Sequence, residues 1–408
     1  MYLDLWGLVG GLVHWLMVDI VGTILNWLHL YGLADWLGSP GVLHIVTILV
    51  VALIILIVGM LVAITLIWQE RKMLGRFMDR VGTQVGPFGL FQNFADAFKV
   101  LVKEYIVPDA ADRLIYPLAP ILIIGVSMAM FVTIPYSQGF YMSDSDLSVI
   151  LTLAMFGVIP FAVLLGGWAS NNKYSLYGAI RAASQAISYE IALGLCLLAV
   201  ILVTGSLSLR EIAGMQHGMN WNVFYQPVGF ILFFVCALAE CNRTPFDLPE
   251  TEAELVVGYM TEYGSMKMGL YMFAEYVNMF ISSAIMATLY FGAYNYPGMD
   301  FVREFLIGQF GEVAGHNIAT LVGTGVLFLK IFMFIFTFMW IRWTLPRFKY
   351  EQLMRLGWQW MVPLAMVNLV IMALATLSGK PLLVAWIGMG AFLLIYYGGR
   401  TMYEKRLN

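Results

Sequence analysis

A chain of 408 residues that is 61% hydrophobic and only 12% charged lies far from soluble globular composition, which runs about 45–50% apolar and about 25% charged. With a mean hydropathy of +0.82, it cannot be a water-soluble domain, and an all-α polytopic membrane protein is predicted. The net charge of −3, from 22 Lys+Arg against 25 Asp+Glu, offers no basic face for nucleic acid and suits membrane proteins and lipid as partners. Cys196, Cys236 and Cys241 lie in or beside apolar runs without CxxC spacing or a histidine cluster. That argues against an iron–sulfur cluster, structural zinc or a disulfide framework on this chain.

Residues 1–40 are apolar but broken by Asp4, His14, Asp19, His29 and Asp35, with no basic leader region. A signal peptide is not expected; an amphipathic helix lying in the interface and an additional span are both open. A spanning helix needs about 20 apolar residues, and nine runs follow: 41–68, 118–137, 147–168, 187–207, 222–241, 267–290, 318–341, 361–379 and 382–399. The organisation predicted is an N-terminal extension (1–40), one membrane domain (41–379), and an extra C-terminal span with a basic tail (380–408).

Lys and Arg separate between alternate connections. Segments 69–117, 169–186, 242–267, 342–360 and the tail from 400 hold 18 of the 22, the remaining connections hold Arg210, Arg303 and Lys380, and Lys330 lies inside a span. The positive-inside rule puts the 18-residue side in the cytoplasm. The one long connection on that side, 69–117, has a helical apolar face over 90–104, as an amphipathic helix against bilayer or partner would. No GxGxxG, GxxxxGK[ST] or HExxH occurs, so nucleotide and zinc-hydrolase sites lack their usual motifs. Any redox cofactor is expected in another chain.

The acidic residues gather between Glu240 and Glu275: Glu240, Asp247, Glu250, Glu252, Glu254, Glu262 and Glu275 are 7 of the 25 acids in 36 residues. Asp247, Glu250 and Glu254 recur at i, i+3, i+7, which a helix would place on one face. Three readings compete: a solvated loop, a carboxylate set in a dry setting that loads and releases protons, and a Mg²⁺ or Ca²⁺ site. The segment lacks the Asp/Asn/Gly alternation of a calcium loop. Glu190, Glu275 and Lys330 fall within or at the ends of spans, where an ionisable group costs about 2.5–3.5 kcal/mol on insertion scales, so each should face protein or trapped water. Glu190 reads as near its helix start, where the dipole favours an anion, or as an interfacial acid. Lys330, too deep to snorkel, is expected to pair with an acid such as Glu275 or Glu190. The many Met and aromatic residues read as packing and interface, and His14, His29, His44, His217 and His316 are placed poorly for a buried haem pair.

Several blocks then resemble a known family. Glu70-Arg71-Lys72, Arg80-Val81-Gly82, Gly86-Pro87-Phe88-Gly89-Leu90, Ala95-Asp96 and Lys103-Glu104 are similar to the first cytoplasmic loop of the H-type membrane subunits of respiratory complex I, NADH-quinone oxidoreductase. Ser170 to Tyr174, Ser188-Tyr189-Glu190, Ala239 to Glu250, Glu262-Tyr263 and Arg342 to Phe348 agree with that family in the same order, so the likeness covers about residues 60–370. The resemblance implies a membrane-arm subunit that helps form a quinone tunnel and an acidic path towards proton-pumping subunits. Glu70, Arg71, Arg80, Asp96 and Glu104 on the first loop, with Arg243, Asp247, Glu250, Glu252 and Glu254 on the third, would belong to the quinone cavity. Glu190, Glu262, Glu275 and Lys330 would carry the proton path. It also implies quinone as the substrate of the complex, no cofactor on this chain, and iron–sulfur clusters and the donor cofactor in partners. Those partners would be hydrophilic peripheral-arm subunits, small membrane-arm subunits and antiporter-like subunits, in an energy-transducing membrane such as a prokaryotic plasma membrane. Departures fall at Thr83 to Val85, Asn93, Ala192 and Gly264-Ser265, positions that could reshape the tunnel mouth. The membrane anchor of an energy-converting hydrogenase and a free-standing ion transporter are the rival readings; no internal repeat of the kind common in transporters is visible.

Overall fold

The computed structural model describes residues 5–22, 38–143, 145–248, 255–379, 386–388 and 390. Among them the chain is helical apart from connections and one β-bridge, Pro135–Tyr141. Helix α1 (Leu5–His14) runs on through Trp15–Gly22 as an apolar segment shorter than a span, and packs on α2 (Pro40–Phe77). Amphipathic α3 (Phe91–Val102) follows, then α4 (Ile115–Ala129), α5 (Ser148–Ala169) and α6 (Lys173–Thr204). Short α7 (Leu209–Met215) leads to α8 (Pro227–Glu240) and α9 (Ser265–Phe291). The chain closes with α10 (Met299–Phe310), α11 (Glu312–Thr344), α12 (Tyr350–Arg355) and α13 (Val362–Ser378).

Among the described residues seven helices are long and apolar enough to cross a membrane, and α8 supplies a shorter apolar one. Eight of the nine expected runs are therefore helices in the expected places; the ninth, 382–399, lies almost wholly outside the described residues.

Burial sorts the spans into a centre and a rim. Of the most apolar stretch of α9, 83% is buried, against 22% for α2, although α9 is the less hydrophobic of the two. A helix shielded by other helices has no lipid to satisfy, and small residues such as Ala274, Ser282, Ser283, Ala284 and Ala287, all buried, let neighbours approach closely. Around it stand α2, α4, α8 and α11, while α6 packs with α5, α8 and α13.

Several helices outrun the membrane. At 1.5 Å per residue, the 38 residues of α2 extend about 57 Å, far beyond a hydrocarbon core of about 30 Å. The excess carries Glu70, Arg71 and Lys72. Helix α6 starts at Lys173, well before the expected run at 187: the Asn172 side chain accepts from the Tyr174 amide at 2.9 Å and caps it there. Because the spans alternate in direction, the ends of α2, α5, α8 and α11 meet the starts of α4, α6 and α9 at one end of the bundle, as contacts Arg342–Glu70, Asn172–Glu262 and Ser265–Val100 record. Four of the five basic segments lie there, and the fifth, the tail from 400, is outside the described residues.

Candidate functional site

The charged end is organised around Glu70. Its carboxylate, 7% exposed, accepts from the Arg342 guanidinium at the end of α11 and, at 3.5 Å, from Arg243 after α8. Arg243 is 6% exposed and stacks 4.2 Å over the Tyr276 ring of α9. Beside this triad Asp247 accepts from Arg347 at 2.7 Å, and the Phe348 amide donates to the Pro245 carbonyl at 3.2 Å, tying the two segments in register. Tyr189, Phe246 and Phe348 form an aromatic row beneath, with successive centroids 5.6 Å apart. Gln185 fixes the segment from α6 by donating to the carbonyls of Ala239 and Phe246, each at 2.8 Å.

On the outer side of Glu70, Arg71 pairs with Asp96 of α3, which also accepts from Gln92 at 3.3 Å. Buried Asn93 donates to the Ile64 carbonyl at 2.6 Å and holds α3 against α2, while Trp68 donates to the Phe88 carbonyl at 3.1 Å. Phe91, Phe94, Phe98 and Leu101 recur on one face of α3 and are exposed, the apolar face expected of an interfacial helix. Between α2 and α3 lies a pocket of about 260 Å³ walled by Leu61, Ile64, Trp68, Leu90, Phe91 and Phe94, with Thr65 and Asn93 as polar members. It falls just below the small-ligand range of about 300–1,000 Å³ and shares the apolar walls with few polar groups of such sites.

Further carboxylates lie beyond the triad. Glu240, the last residue of α8, is buried, and its Oε2 has no hydrogen-bond partner among the described residues. It lies within electrostatic reach of Glu190. The Glu190 carboxyl faces α5: a Cβ built on Gly157 would stand 3.0 Å from Oε1, so glycine leaves that acid its space. Glu275 accepts from the Tyr259 hydroxyl at 3.1 Å. Glu262 accepts from Asn172, and its backbone carbonyl accepts from Tyr116 at 2.7 Å. Tyr116 and Tyr263 stack with centroids 4.3 Å apart, and burial pushes the Tyr263 hydroxyl above its ordinary value. Asp112, ahead of α4, is held below the usual carboxylate range because the amides of Ile115 and Leu114 donate to it.

The structure thus brings together Glu70, Arg71, Asp96, Arg243, Asp247 and Glu262 at the charged end, with Glu190 and Glu275 further along α6 and α9. Arg80 and Glu104 are exposed at its edge. Glu250, Glu252 and Glu254 lie outside the described residues. Three expectations need correction. Asp247 is in an irregular segment rather than on a helical face, and its side chain accepts from Arg347 of the connection after α11. Glu190 is mid-helix, since α6 begins at Lys173, so no dipole end stabilises it. Lys330 pairs with no acid among the described residues: its Nζ donates to the carbonyls of Phe291, Ala293 and Asn295 at 2.6, 2.8 and 2.6 Å. Those are acceptors at and beyond the end of α9, where carbonyls lack helical partners and carry the negative end of the dipole. Glu275 is 16 residues back along α9 from Phe291, about 24 Å.

Sequence reasoning missed Arg342 and Arg347 as partners of Glu70 and Asp247, although both lie in the Arg342 to Phe348 block. Four arginines facing three buried or half-buried carboxylates would have been a signal had the segments been known to meet.

The class so defined is an all-α polytopic membrane protein with paired charges and an apolar pocket at one end of its bundle. The NADH dehydrogenase family matches residues 49–373, and the chain belongs to that family. It is 46% identical over 341 residues to the H-type subunit of NADH-quinone oxidoreductase from Flavobacterium psychrophilum, covering 81% of this chain and 97% of that one. The corresponding subunit of Flavobacterium johnsoniae is 46% identical over 332 residues, 79% of this chain and 93% of the relative. NADH-quinone oxidoreductase subunit 8 of Rhodothermus marinus is 42% identical over 329 residues, 79% and 95% respectively.

Proposed function

We propose that this chain is the H-type membrane-arm subunit of a proton-translocating NADH-quinone oxidoreductase, where it helps form the quinone tunnel and the acidic path that couples quinone reduction to proton movement. The observation that carries the reading is the buried Glu70–Arg243–Arg342 group, with an apolar pocket at the α2–α3 junction of the same charged end and Glu240, Glu190 and Glu275 leading inward. The length and identity of the match to subunits of that enzyme support it over a hydrogenase anchor or a free-standing transporter.

Reducing a quinone to its quinol takes up two electrons and two protons. The electrons come from an iron–sulfur centre in a hydrophilic peripheral-arm subunit, and the apolar pocket walls suit a flat ring and an isoprenoid-like tail. Negative charge developing near the pocket is felt by fixed guanidiniums in a low-dielectric setting, where such interactions are strong. Asp247 and Arg347 link the third loop to the start of the last described span and relay a shift in that balance. The inner carboxyls, with hydroxyl and amide neighbours, take the protonation change. In this reading small membrane-arm and antiporter-like subunits are the partners on the inward side, and the basic excess at this end supports a cytoplasmic orientation for it.

The test is to purify the tagged chain from its own membrane in mild detergent, identify its partners, and assay inhibitor-sensitive quinone reduction and proton translocation. Antiporter-like partners with quinone reductase activity are expected, as is loss of pumping in an assembled Asp247→Asn complex. Nickel-containing partners without quinone activity, or full pumping stoichiometry in Asp247→Asn, would overturn the corresponding part.

A further inference from the structure

At the end of the bundle away from the paired charges, three helices bring polar atoms to one small space. Gln226, the residue capping the start of α8, Tyr290 near the end of α9 and Asn368 in the middle of α13 are 1%, 0% and 5% exposed. Gln226 Oε1, the Tyr290 hydroxyl and Asn368 Nδ2 are each buried without a hydrogen-bond partner among the described residues. All three surround the face of Gly229: a Cβ built there would lie 3.1 Å from Asn368 Nδ2, 3.4 Å from Gln226 Oε1 and 3.5 Å from the Tyr290 oxygen. Gln226 is itself fixed, because its Nε2 donates to the Ala199 carbonyl of α6 at 2.9 Å. Four helices, α6, α8, α9 and α13, therefore converge on this point.

We propose that a single buried water molecule occupies the space over Gly229 and bridges Gln226, Tyr290 and Asn368. The hydrogen-bonding capacity of the three groups selects the ligand. An amide N–H donates into the space, an amide oxygen accepts from it, and a hydroxyl can do either. A cation would meet the Asn368 donor, an anion the Gln226 acceptor, and an apolar group would leave all three buried without a partner. Water accepts one bond, donates one and exchanges a third with the hydroxyl, the usual complement of about three for a buried water. Residue 229, having no side chain, puts no Cβ between the three polar atoms. The site also gives Asn368, a polar residue within an apolar span, its route into the core, so the last described span is anchored by a wet polar junction as well as by packing. The inference does not depend on the proposed quinone and proton roles.

The experiment is a density map of the intact membrane complex at a resolution that shows ordered water. A peak within about 2.7–3.2 Å of all three atoms is expected. An empty position in a map that shows other buried waters, or direct contact among the three side chains, would overturn the proposal. In an assembled Gly229→Ala complex the peak should vanish; a peak persisting beside the new methyl group would also refute it. Should that variant fail to assemble, Tyr290→Phe removes one partner without adding volume, and its peak should weaken or be lost, whereas an unchanged peak counts against the assignment.

Discussion

Replacing Glu70 separates two kinds of ion pair that look alike in sequence. The Glu70 and Arg243 side chains are 7% and 6% exposed, and Arg342 is 21% exposed. Glu70→Ala removes the acceptor shared by two guanidiniums, one of them buried. Breaking a buried pair from one side costs about 3–5 kcal/mol, which is roughly 10²–10⁴ in a folding or docking equilibrium. Asp96→Ala removes the neighbouring pair, but Arg71 and Asp96 are 44% and 37% exposed, and exposed pairs contribute about 0.2–1 kcal/mol. The assay is the yield and melting temperature of the purified complex for each variant, with a double-mutant cycle between Glu70→Gln and Arg342→Gln. Glu70→Ala should assemble poorly or melt markedly lower, Asp96→Ala should behave nearly as the parent, and the cycle should return a coupling above about 0.5 kcal/mol. Equal effects at 70 and 96, or zero coupling between 70 and 342, would refute the reasoning.

Lys330→Met should destabilise the complex by several kcal/mol, since hydrogen bonds to a charged donor contribute about 1.5–3 kcal/mol each and three carbonyls lose theirs. No acid-to-neutral change at Glu190 or Glu275 should restore its melting temperature; rescue by either would assign Lys330 an acidic partner instead. Gly157→Ala places a methyl 3.0 Å from the Glu190 carboxyl, so proton translocation per quinone reduced should fall in complexes that assemble; unchanged stoichiometry would remove Glu190 from the path. Asp112 is held below its ordinary value of 3.8 by backbone amides. A depressed carboxylate contributes stability above its unfolded value and loses it as pH falls through the folded one. The melting-temperature gap between parent and Asp112→Ala should therefore be constant near neutrality and close below pH 3.8; a gap that persists there would count against the capping role.

The hydrophobic runs made the spans legible because membrane thickness imposes a length on them, and the alternation of Lys and Arg made the two ends legible because it follows from those spans. Helix length was not legible by the same route. Residues 173–186 are too polar to register as a span, yet Tyr174, Leu176, Ala179 and Ala182 continue the helix outside the hydrocarbon. That is why Glu190 reads from sequence as standing at a helix start. Periodicity failed at Asp247 for a different reason: three acids at helical spacing describe one face only if the backbone is helical, and here the first of them lies in an irregular segment, paired with an arginine 100 positions away. The acceptors of Lys330 are backbone carbonyls, which no residue type announces. The Glu70–Arg342 pair joins residues 272 positions apart and is visible only once the bundle closes.

The carboxylates differ in what each one touches, and that difference fixes what each can do. Asp96, Glu70 and Asp247 face arginines. Guanidinium groups keep their protons, so these three acids each face a permanent positive charge. Glu240, Glu275 and Glu262 meet an unfilled acceptor position, a tyrosine hydroxyl and an asparagine amide. A hydroxyl turns to accept or donate, so an acid beside it keeps a hydrogen bond in both protonation states. The hydrogen bonds described for Glu275 and Glu262 thus come from neutral groups, whereas Glu70, Asp96 and Asp247 are held by guanidiniums. Converting the Glu275 neighbour by Tyr259→Phe removes that two-way partner without adding charge. It should lower protons moved per quinone reduced while leaving the reductase rate within about twofold. A parallel fall in both would place Tyr259 in the structural frame instead.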